Sequence, residues 1–255
     1  MSDLRRVAVS VAAGGEEEAR AQMLDLAPEG FEEVDGADGL ELAAYTDAGG
    51  AARIRARFPE AAETIVPRGW EDGWRAFHRG VVTGGIWIGP PWEDAAAGRP
   101  AVVIDPGRAF GTGAHPTTRL CVELLASVER GSLLDVGCGS GVLALAGARL
   151  GFAPIVAVDV DPVAVEATKV NAAANDVAVE ARVLDALHGH LPAVDVAVAN
   201  VLLAPVESVL RRLDAGAAIT AGYLVGERPV HAGWRHAVSL ELDGWAADLF
   251  RRATV

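Results

Sequence analysis

Hydrophobic and polar residues alternate in short segments over the first 66 residues of the chain. This pattern predicts strands at 7–12, 31–34, 40–45 and 62–66, and helices at 16–26 and 51–58. The order strand, helix, strand, strand, helix, strand is typical of a small ferredoxin-like α+β fold. We therefore predict that residues 1–66 form a ferredoxin-like domain.

From about residue 105, buried strands alternate with helices, which is the pattern of a parallel sheet with crossover helices. Gly151 ends a helix over 142–150, and Asp161 with Pro162 begins the next one. Asp243-Gly244 separates two alternating segments near the C-terminus, which predicts a β-hairpin. Strands are predicted at 133–136, 155–158, 177–184, 195–199, 217–221, 236–242 and 245–250. Residues 105–255 are therefore predicted to form an α/β domain with a Rossmann-like sheet that ends in an antiparallel hairpin.

The segment 67–104 has neither pattern and is predicted to connect the two domains. It contains four of the six tryptophans of the chain, Trp70, Trp74, Trp87 and Trp92. Tryptophan in a connector usually packs at a domain interface, because its large ring is mostly apolar. Recognition of a partner protein is the alternative, since tryptophan is also enriched at interface centres.

Composition and charge narrow the class of protein. Hydrophobic residues make up 51% of the 255-residue chain, which is far too many for an intrinsically disordered protein. No apolar run approaches the roughly 18 residues of a membrane span. Acidic residues outnumber basic ones by 35 to 22, so we expect no direct binding of nucleic acid. We expect a cytoplasmic monomer without a membrane anchor, whose acidity is compatible with a basic partner protein.

The strongest local signal is the segment Leu133-Leu-Asp-Val-Gly-Cys-Gly-Ser-Gly141, in which a buried strand leads into a glycine-rich turn and a helix. Glycine lets the backbone approach a ligand closely, and a helix start offers free N–H donors. Gly137 and Gly139 match the first two glycines of the dinucleotide-binding pattern G-x-G-x-x-G, but Val142 stands at the third position. The cluster alone is also compatible with an ordinary tight turn.

Two aspartates follow the next predicted strands. Asp159 stands 22 positions after Gly137, where a carboxylate can accept both hydroxyls of an adenosine ribose. By itself Asp159 could equally cap a helix, but together with the glycine turn it favours binding of a nucleoside, either in a nicotinamide cofactor or in S-adenosylmethionine. Asp185 follows the third strand and could meet the adenine amine or be a plain loop aspartate.

Asn200 closes the predicted strand 195–199, at the edge of an open α/β sheet where ligands bind. Its amide oxygen could accept a hydrogen bond from an incoming amine, or the residue could simply form a turn. No metal site is predicted, because His188-Gly-His190 lacks further ligands nearby.

The segment Phe110-Gly-Thr-Gly-Ala-His-Pro-Thr-Thr118 directly precedes the helix before the glycine-rich strand. Its hydroxyls and glycine backbone could wrap the carboxylate and amino groups of an amino-acid moiety. Thr117 or Thr118 could instead cap the helix. His115 could act as a base, although a single loop histidine is more often structural.

Together these segments resemble the ribosomal protein L11 methyltransferase family, bacterial enzymes that methylate amines of a large-subunit ribosomal protein. The resemblance is carried by residues 110–118, 135–143, 159–165 with Asn171 and Asn175, and 199–202. The His-Pro-Thr-Thr segment is much more specific than the glycine turn, which most S-adenosylmethionine-dependent enzymes share. The resemblance is strong over about residues 105–205 and weaker before Trp70.

The resemblance implies a class I methyltransferase domain at 105–255 with S-adenosylmethionine as the methyl donor. It also implies that residues 1–66 dock ribosomal protein L11, whose lysine side chains or N-terminal amine would be methylated. We take Asn200, Phe110 and His115 as catalytic candidates. The resemblance implies cofactor contacts from Thr118, Gly137, Asp159 and Asn200, to which the residue patterns add Gly139 and Asp185.

The chain departs from the family pattern in the connector. Arg79-Gly80 stands where the family usually has Lys-Pro, and Gly89-Pro-Pro-Trp92 stands where it has Arg-Pro-Ser-Trp. A glycine in place of a proline could change how the two domains swing. Three alternatives stay open: an NAD-dependent oxidoreductase, a methyltransferase that acts on a different protein or on a small-molecule amine, and a non-catalytic ribosome-binding module.

Overall fold

The computed structural model describes residues 4–11, 14–15, 19–20, 22–23, 26–27, 31–36, 39–66, 79–105 and 113–253. The chain divides into two compact units, Met1–Trp74 and Arg75–Val255. In the part of the chain that is described, no helix has the length and apolar character needed to cross a membrane.

The first unit is a four-stranded antiparallel sheet covered by helix. Its elements are β1 (Arg5–Val11), β2 (Glu32–Gly36), β3 (Gly39–Thr46), α1 (Ala48–Arg57) and β4 (Ala62–Ile65), with the strand order β2-β3-β1-β4. Residues 19, 20, 22, 23 and 26 are helical and fall in the first predicted helix, whose other residues lie outside the described ranges. Met23, Leu42 and Ile54 are fully buried between helix and sheet. This arrangement confirms the predicted ferredoxin-like fold.

The second unit contains a seven-stranded sheet with the order β10-β9-β8-β11-β12-β14-β13. The first five strands in this order are parallel, and β14 is antiparallel to both its neighbours. The strands are β8 (Leu133–Val136), β9 (Ile155–Asp159), β10 (Glu180–Val183), β11 (Val194–Asn200), β12 (Ala215–Leu224), β13 (Trp234–Leu242) and β14 (Trp245–Arg252). The helices are α2 (Pro116–Ser127), α3 (Val142–Leu150), α4 (Pro162–Ala174) and α5 (Leu203–Arg212). The predicted Rossmann-like sheet with its terminal hairpin is thereby confirmed.

Apolar cores lie on both faces of this sheet. Leu133 and Leu134 belong to different buried clusters, because successive residues of a strand point to opposite faces. The hairpin turn has φ of 50° at Asp243 and 81° at Gly244, as a two-residue type I′ turn requires.

One local prediction was wrong, and one alternative that the sequence left open is excluded. Strand β10 begins at Glu180 rather than at 177, because Asp176 takes a φ of 51° and the N–H of Val177 bonds to the carbonyl of Ala172. This turn after the end of α4 uses residues that the apolar pattern assigns to the strand. Helix α2 is capped by His115 and not by Thr117 or Thr118, since Pro116 already occupies its first turn.

The described part of the predicted connector is folded. Residues 79–104 contain a small sheet of β5 (Val81–Thr83), β6 (Ile86–Gly89) and β7 (Ala101–Val103), in the order β5-β6-β7. Ile86, Ile88, Val102 and Ile104 are buried in the same cluster as the seven-stranded sheet. Residues 79–104 are thus part of the second unit, because their apolar side chains complete its core. Trp70 and Trp74 lie outside the described residues.

Candidate active site

A cavity of about 560 Å³ opens at the carboxyl ends of β8, β9 and β11. Six of the predicted site residues line it: Thr118, Gly137, Gly139, Asp159, Asp185 and Asn200. His115 is not among the lining residues, and Phe110 lies outside the described residues. The fold therefore brings the glycine turn, the two aspartates and Asn200 to one site, as expected for an open α/β sheet.

The glycine turn after β8 forms one wall of the cavity. The N–H groups of Gly137 and Cys138 both donate to the carbonyl of Val158, at 2.8 and 3.1 Å. Gly137 has a φ of 72°, and a Cβ there would lie 2.5 Å from Cγ1 of Val201. Only glycine fits at this position, because any side chain would strike the segment that follows Asn200.

Asp159 is fixed at the end of β9 by two backbone donors. Its Oδ2 accepts from the N–H of Gly139 at 3.0 Å, and its Oδ1 accepts from the N–H of Asp161, also at 3.0 Å. Each carboxylate oxygen can accept a second hydrogen bond. The carboxylate is thus held in one orientation against the glycine turn and still has acceptor capacity for a bound polyol.

Asp185 also lines the cavity and is paired with His188. Nδ1 of His188 lies 2.6 Å from Oδ2 of Asp185, and the N–H of Leu187 donates to Oδ1 at 2.8 Å. The bond to His188 is the largest cause that lowers the pKa of the Asp185 carboxyl, followed by that to Leu187. Arg212 on α5 holds the same loop by donating to the carbonyls of Ala186 and Gly189.

Asn200 and Thr118 meet at the cavity although they are 82 positions apart. Nδ2 of Asn200 donates to Oγ1 of Thr118 at 3.4 Å. This bond leaves Oδ1 of Asn200 as the atom available to accept a hydrogen bond from a ligand. Val201, Leu202 and Pro205 follow Asn200 along the cavity wall, so the amide lies beside an apolar surface.

His115 acts as the cap of α2. Its Nδ1 accepts from the N–H of Thr117 at 3.3 Å and lies 2.7 Å from Oγ1 of the same residue. Its ring packs edge-on against Trp245 with the centroids 5.0 Å apart. Burial lowers the pKa of His115, which favours the neutral form that a capping acceptor requires.

Asp135 is a second carboxylate near the turn, and its position was not predicted. The side chain is fully buried, its Oδ2 accepts from the N–H of Ala144 at 3.0 Å, and its Oδ1 has no hydrogen-bond partner among the described residues. Burial raises the pKa of this carboxyl to about 7; the bond to Ala144 lowers it and the charge of Asp159 raises it further. A charged residue within the apolar strand Leu133–Val136 was the signal available in the sequence.

Thr168 on α4 was also missed. It is fully buried, and its Oγ1 donates to the carbonyl of Gly139 at 3.0 Å. The sequence does not identify such a threonine as a site residue, because a threonine on the inner face of a helix is interpreted as part of the core. Its contact shows that α4 supports the glycine turn from behind.

The cavity is suited to an adenosyl ligand. Its volume lies within the roughly 300–1,000 Å³ typical of small-molecule sites. Apolar side chains such as Val158, Leu184 and Leu187 line it together with the glycine backbone and Asp159. An apolar slot suits a purine ring, a fixed carboxylate suits ribose hydroxyls, and a glycine turn admits close backbone approach. S-adenosylmethionine combines these groups, so the residues present fit that cofactor.

Comparisons with known proteins agree with this geometry. The sequence model described as ribosomal protein L11 methyltransferase matches residues 40–227, a range that includes all the lining residues of the cavity. The protein of that name from Pseudomonas putida is 38% identical over 215 residues, covering 77% of this chain and 73% of its own. The one from Pelobacter propionicus is 36% identical over 217 residues, covering 74% and 69%.

A solved structure of similar fold is the ribosomal protein L11 methylase from Lactobacillus delbrueckii subsp. bulgaricus. It superimposes with a TM-score of 0.63 at 24% sequence identity, over 69% of this chain and 100% of that one. The structural likeness supports the fold, while the sequence matches decide the family. The chain belongs to the ribosomal protein L11 methyltransferase family.

Proposed function

We propose that this chain transfers methyl groups from S-adenosylmethionine to amines of ribosomal protein L11. The observation that carries the proposal is the single cavity in which Asn200 and Thr118 lie with the glycine turn and Asp159. Ribosomal protein L11 is the substrate that the relatives' names give for those proteins. A cytoplasmic location follows from the proposal, since its substrate is a component of the ribosome.

The residues at the glycine turn would hold the cofactor. Asp159 would accept the ribose hydroxyls, because its two oxygens are already oriented by Gly139 and Asp161. Asp185 would face the adenine amine across the cavity. When bound, S-adenosylmethionine supplies a methyl group on a sulfonium centre, which is a good leaving group. The main task of the protein is therefore to align the amine with that group.

Asn200 would prepare the amine. A free lysine has a pKa near 10.4, and only its neutral form has a lone pair. The apolar wall formed by Val201, Leu202 and Pro205 would favour the neutral form by desolvation. Oδ1 of Asn200 would accept one N–H of the amine and so direct the lone pair. The proton that the lysine ammonium must lose would pass to water.

Residues 1–66 would dock the substrate. They contain 14 acidic and 6 basic side chains, so about a quarter of the chain carries a formal −8 of the total −13. An acidic domain attracts a basic protein and raises the local concentration of its amines. A truncated chain that begins at Arg75, once its folding is verified, should retain cofactor affinity and lose most activity on the intact substrate. Full activity of the truncated chain would exclude the docking role.

Calorimetry with S-adenosylmethionine and, separately, with NAD tests the cofactor. Val142 stands where the dinucleotide-binding pattern has its third glycine, so we expect no binding of NAD. Mass spectrometry of ribosomal protein L11 after incubation with enzyme and cofactor tests the substrate, and each methyl group adds about 14 Da. Binding of NAD alone would replace the proposal with the oxidoreductase alternative. Cofactor binding without methylation would point to another protein or to a small-molecule amine.

A further inference from the structure

Strand β7 has a strand neighbour on one side and helix side chains on the other. Towards β6, the N–H of Ile104 donates to the carbonyl of Gly89 at 2.9 Å. On the opposite edge, Oδ1 of Asn175 accepts from the N–H of Val103 at 2.8 Å, and Nδ2 of Asn175 donates to the carbonyl of Val103 at 2.7 Å. One side-chain amide therefore satisfies both backbone groups of Val103, as a neighbouring strand would.

Arg149 completes the same edge. Its Nε donates to the carbonyl of Ala101 at 2.7 Å, and its Nη2 donates to the carbonyl of Asn175 at 2.6 Å. The guanidinium thus ties β7 to the end of α4 from its place on α3. Two helices of the seven-stranded domain together fix the outer edge of a strand only three residues long.

A second asparagine extends this contact to the glycine turn. Nδ2 of Asn175 also donates to the carbonyl of Asn171 at 2.8 Å, and Nδ2 of Asn171 donates to the carbonyl of Ser140 at 2.9 Å. Asn171 and Asn175 are only 6% and 4% exposed. Removal of a buried amide leaves its hydrogen-bond partners buried and unsatisfied, which is energetically costly. These hydrogen bonds therefore stabilise the positions of the backbone groups that they join. They form a buried connection from the glycine turn to β7.

After β7, the chain continues to Thr118, which lines the cavity. Val103 is followed by the buried Ile104 and then by the segment that ends in Thr118. At Gly113 in this segment, a Cβ would lie 2.4 Å from Cγ2 of Ile88 on β6. Ile104 bonds to Gly89 and Gly113 lies against Ile88, so both residues contact β6 of the small sheet. That sheet is in turn held by Asn175 and Arg149.

We propose that Asn175, supported by Arg149, is a positioning residue that holds β7, and through β6 the residues 113–118, in register with the glycine turn. Neither residue lines the cavity, so any effect on the reaction is exerted through the backbone of β7 and through Asn171, which bonds to the glycine turn. The inference rests on the proposed function, because it assigns Thr118 and the glycine turn to one cofactor site. A displacement of about 1 Å between aligned groups costs on the order of 100-fold in rate.

The test compares Asn175→Ala with Ser132→Ala in the full chain. Ser132 is a matched control because its hydroxyl also makes two short hydrogen bonds, to Asp195, but at the amino end of β8. Asn175→Ala should lower kcat about tenfold or more and weaken S-adenosylmethionine binding, while KM for the protein substrate changes less than about threefold. Ser132→Ala should reduce stability and leave kcat and Kd within about twofold of wild type.

Hydrogen exchange without cofactor provides a readout that needs no activity. Peptides covering 113–118 and 137–141 should exchange about tenfold faster or more in Asn175→Ala, and at the wild-type rate in Ser132→Ala. Equal exchange and equal kinetics in the two variants would overturn the positioning role. If wild type neither binds the cofactor nor methylates L11, the proposed function fails while the exchange result still decides the inference.

Arg149→Lys covers the case in which Asn175→Ala does not fold. Lysine keeps the charge but has no fork to bridge the carbonyls of Ala101 and Asn175. Exchange in 113–118 should rise several-fold in this variant, with a smaller loss in kcat than in Asn175→Ala. Unchanged exchange in Arg149→Lys would contradict the proposal.

Discussion

Nδ2 of Asn200 donates to Oγ1 of Thr118 at 3.4 Å, across the cavity between β11 and the start of α2. The contact decides which end of the Asn200 amide is available to a ligand. With the nitrogen facing Thr118, the oxygen remains as an acceptor beside the apolar residues Val201 and Leu202. A polar acceptor next to an apolar wall suits a neutral amine, which has N–H donors and no charge.

Asn200→Ala should lower the methylation rate more than it weakens cofactor binding. The proposed hydrogen bond orients the amine as it reacts, so its loss should reduce kcat by about 100-fold. The Kd of S-adenosylmethionine, measured by calorimetry, should stay within about threefold of wild type. Equal losses in kcat and in affinity would identify Asn200 as a simple cofactor contact.

Thr118→Val provides the companion experiment. Valine keeps the shape of threonine and removes the hydroxyl that Nδ2 of Asn200 contacts. This variant should show a smaller loss of kcat than Asn200→Ala, because the amide is still present but no longer oriented. A larger loss than in Asn200→Ala would assign Thr118 a direct role of its own.

Asp159→Ala should abolish most of the cofactor affinity. The proposed contacts are two charge-assisted hydrogen bonds to ribose hydroxyls, each worth about 1.5–3 kcal/mol, so Kd should rise about 100-fold or more. Asp161→Ala is the control, because Asp161 caps α4 by accepting from Val163 and is absent from the cavity lining. It should reduce stability by about 1 kcal/mol and leave Kd unchanged. A folded Asp159→Ala protein with wild-type affinity would refute the ribose assignment.

The sequence predicts best those features that neighbouring residues determine. Asp243-Gly244 specifies the type I′ turn, and Asp161-Pro162 specifies the start of α4, because each depends on local backbone preferences. The glycine turn and Asp159 are likewise predicted from one short stretch of sequence, which contains a strand, a turn and the next strand. These elements are enough to predict the fold and six of the residues that line the cavity.

Contacts between distant segments could not be predicted in this way. Residues 79–104 look like a connector because β5–β7 are short and their core partners lie on α2 and α3. The double hydrogen bond of Asn175 to Val103 joins residues 72 positions apart. Apolar periodicity does not indicate such a contact. An asparagine at the end of a helix is interpreted as an ordinary C-cap residue.

Asp135→Asn should change how stability depends on pH. The folded-state pKa of Asp135 is raised to about 7, whereas an unfolded aspartate titrates near 3.9, so between these values the folded state binds the extra proton. The wild-type free energy of unfolding should therefore fall as pH rises towards 7. Asparagine removes this contribution and still accepts from Ala144. Relative to wild type, the variant should gain about 2 kcal/mol between pH 5.5 and pH 8.

Urea unfolding of both proteins at the two pH values measures this difference. Asp195→Asn is the control, because Ser132 lowers the pKa of the Asp195 carboxyl and keeps it ionised throughout this range. Its stability relative to wild type should be the same at pH 5.5 and pH 8. A pH-independent difference for Asp135→Asn as well would mean that Asp135 is ionised in the folded protein.

Gly80→Ala and Gly89→Ala should each destabilise the protein through Trp87. The indole of Trp87 is only 4% exposed, and a Cβ at Gly80 would lie 2.4 Å from its Nε1. A Cβ at Gly89 would lie 2.4 Å from Cζ2 of the same ring. Both departures from the family pattern therefore lie against one buried side chain, which gives these glycines a packing role. Such overpacking costs about 1–3 kcal/mol.

A double-mutant cycle with Trp87→Leu separates packing from backbone flexibility. Leucine is smaller than the indole, so Gly89→Ala should cost less in the Trp87→Leu background, with a coupling of about 1 kcal/mol or more in the free energy of unfolding. The same sign is expected for Gly80→Ala, since both glycines contact the same ring. Additive effects in the two cycles would show that the glycines act through backbone freedom.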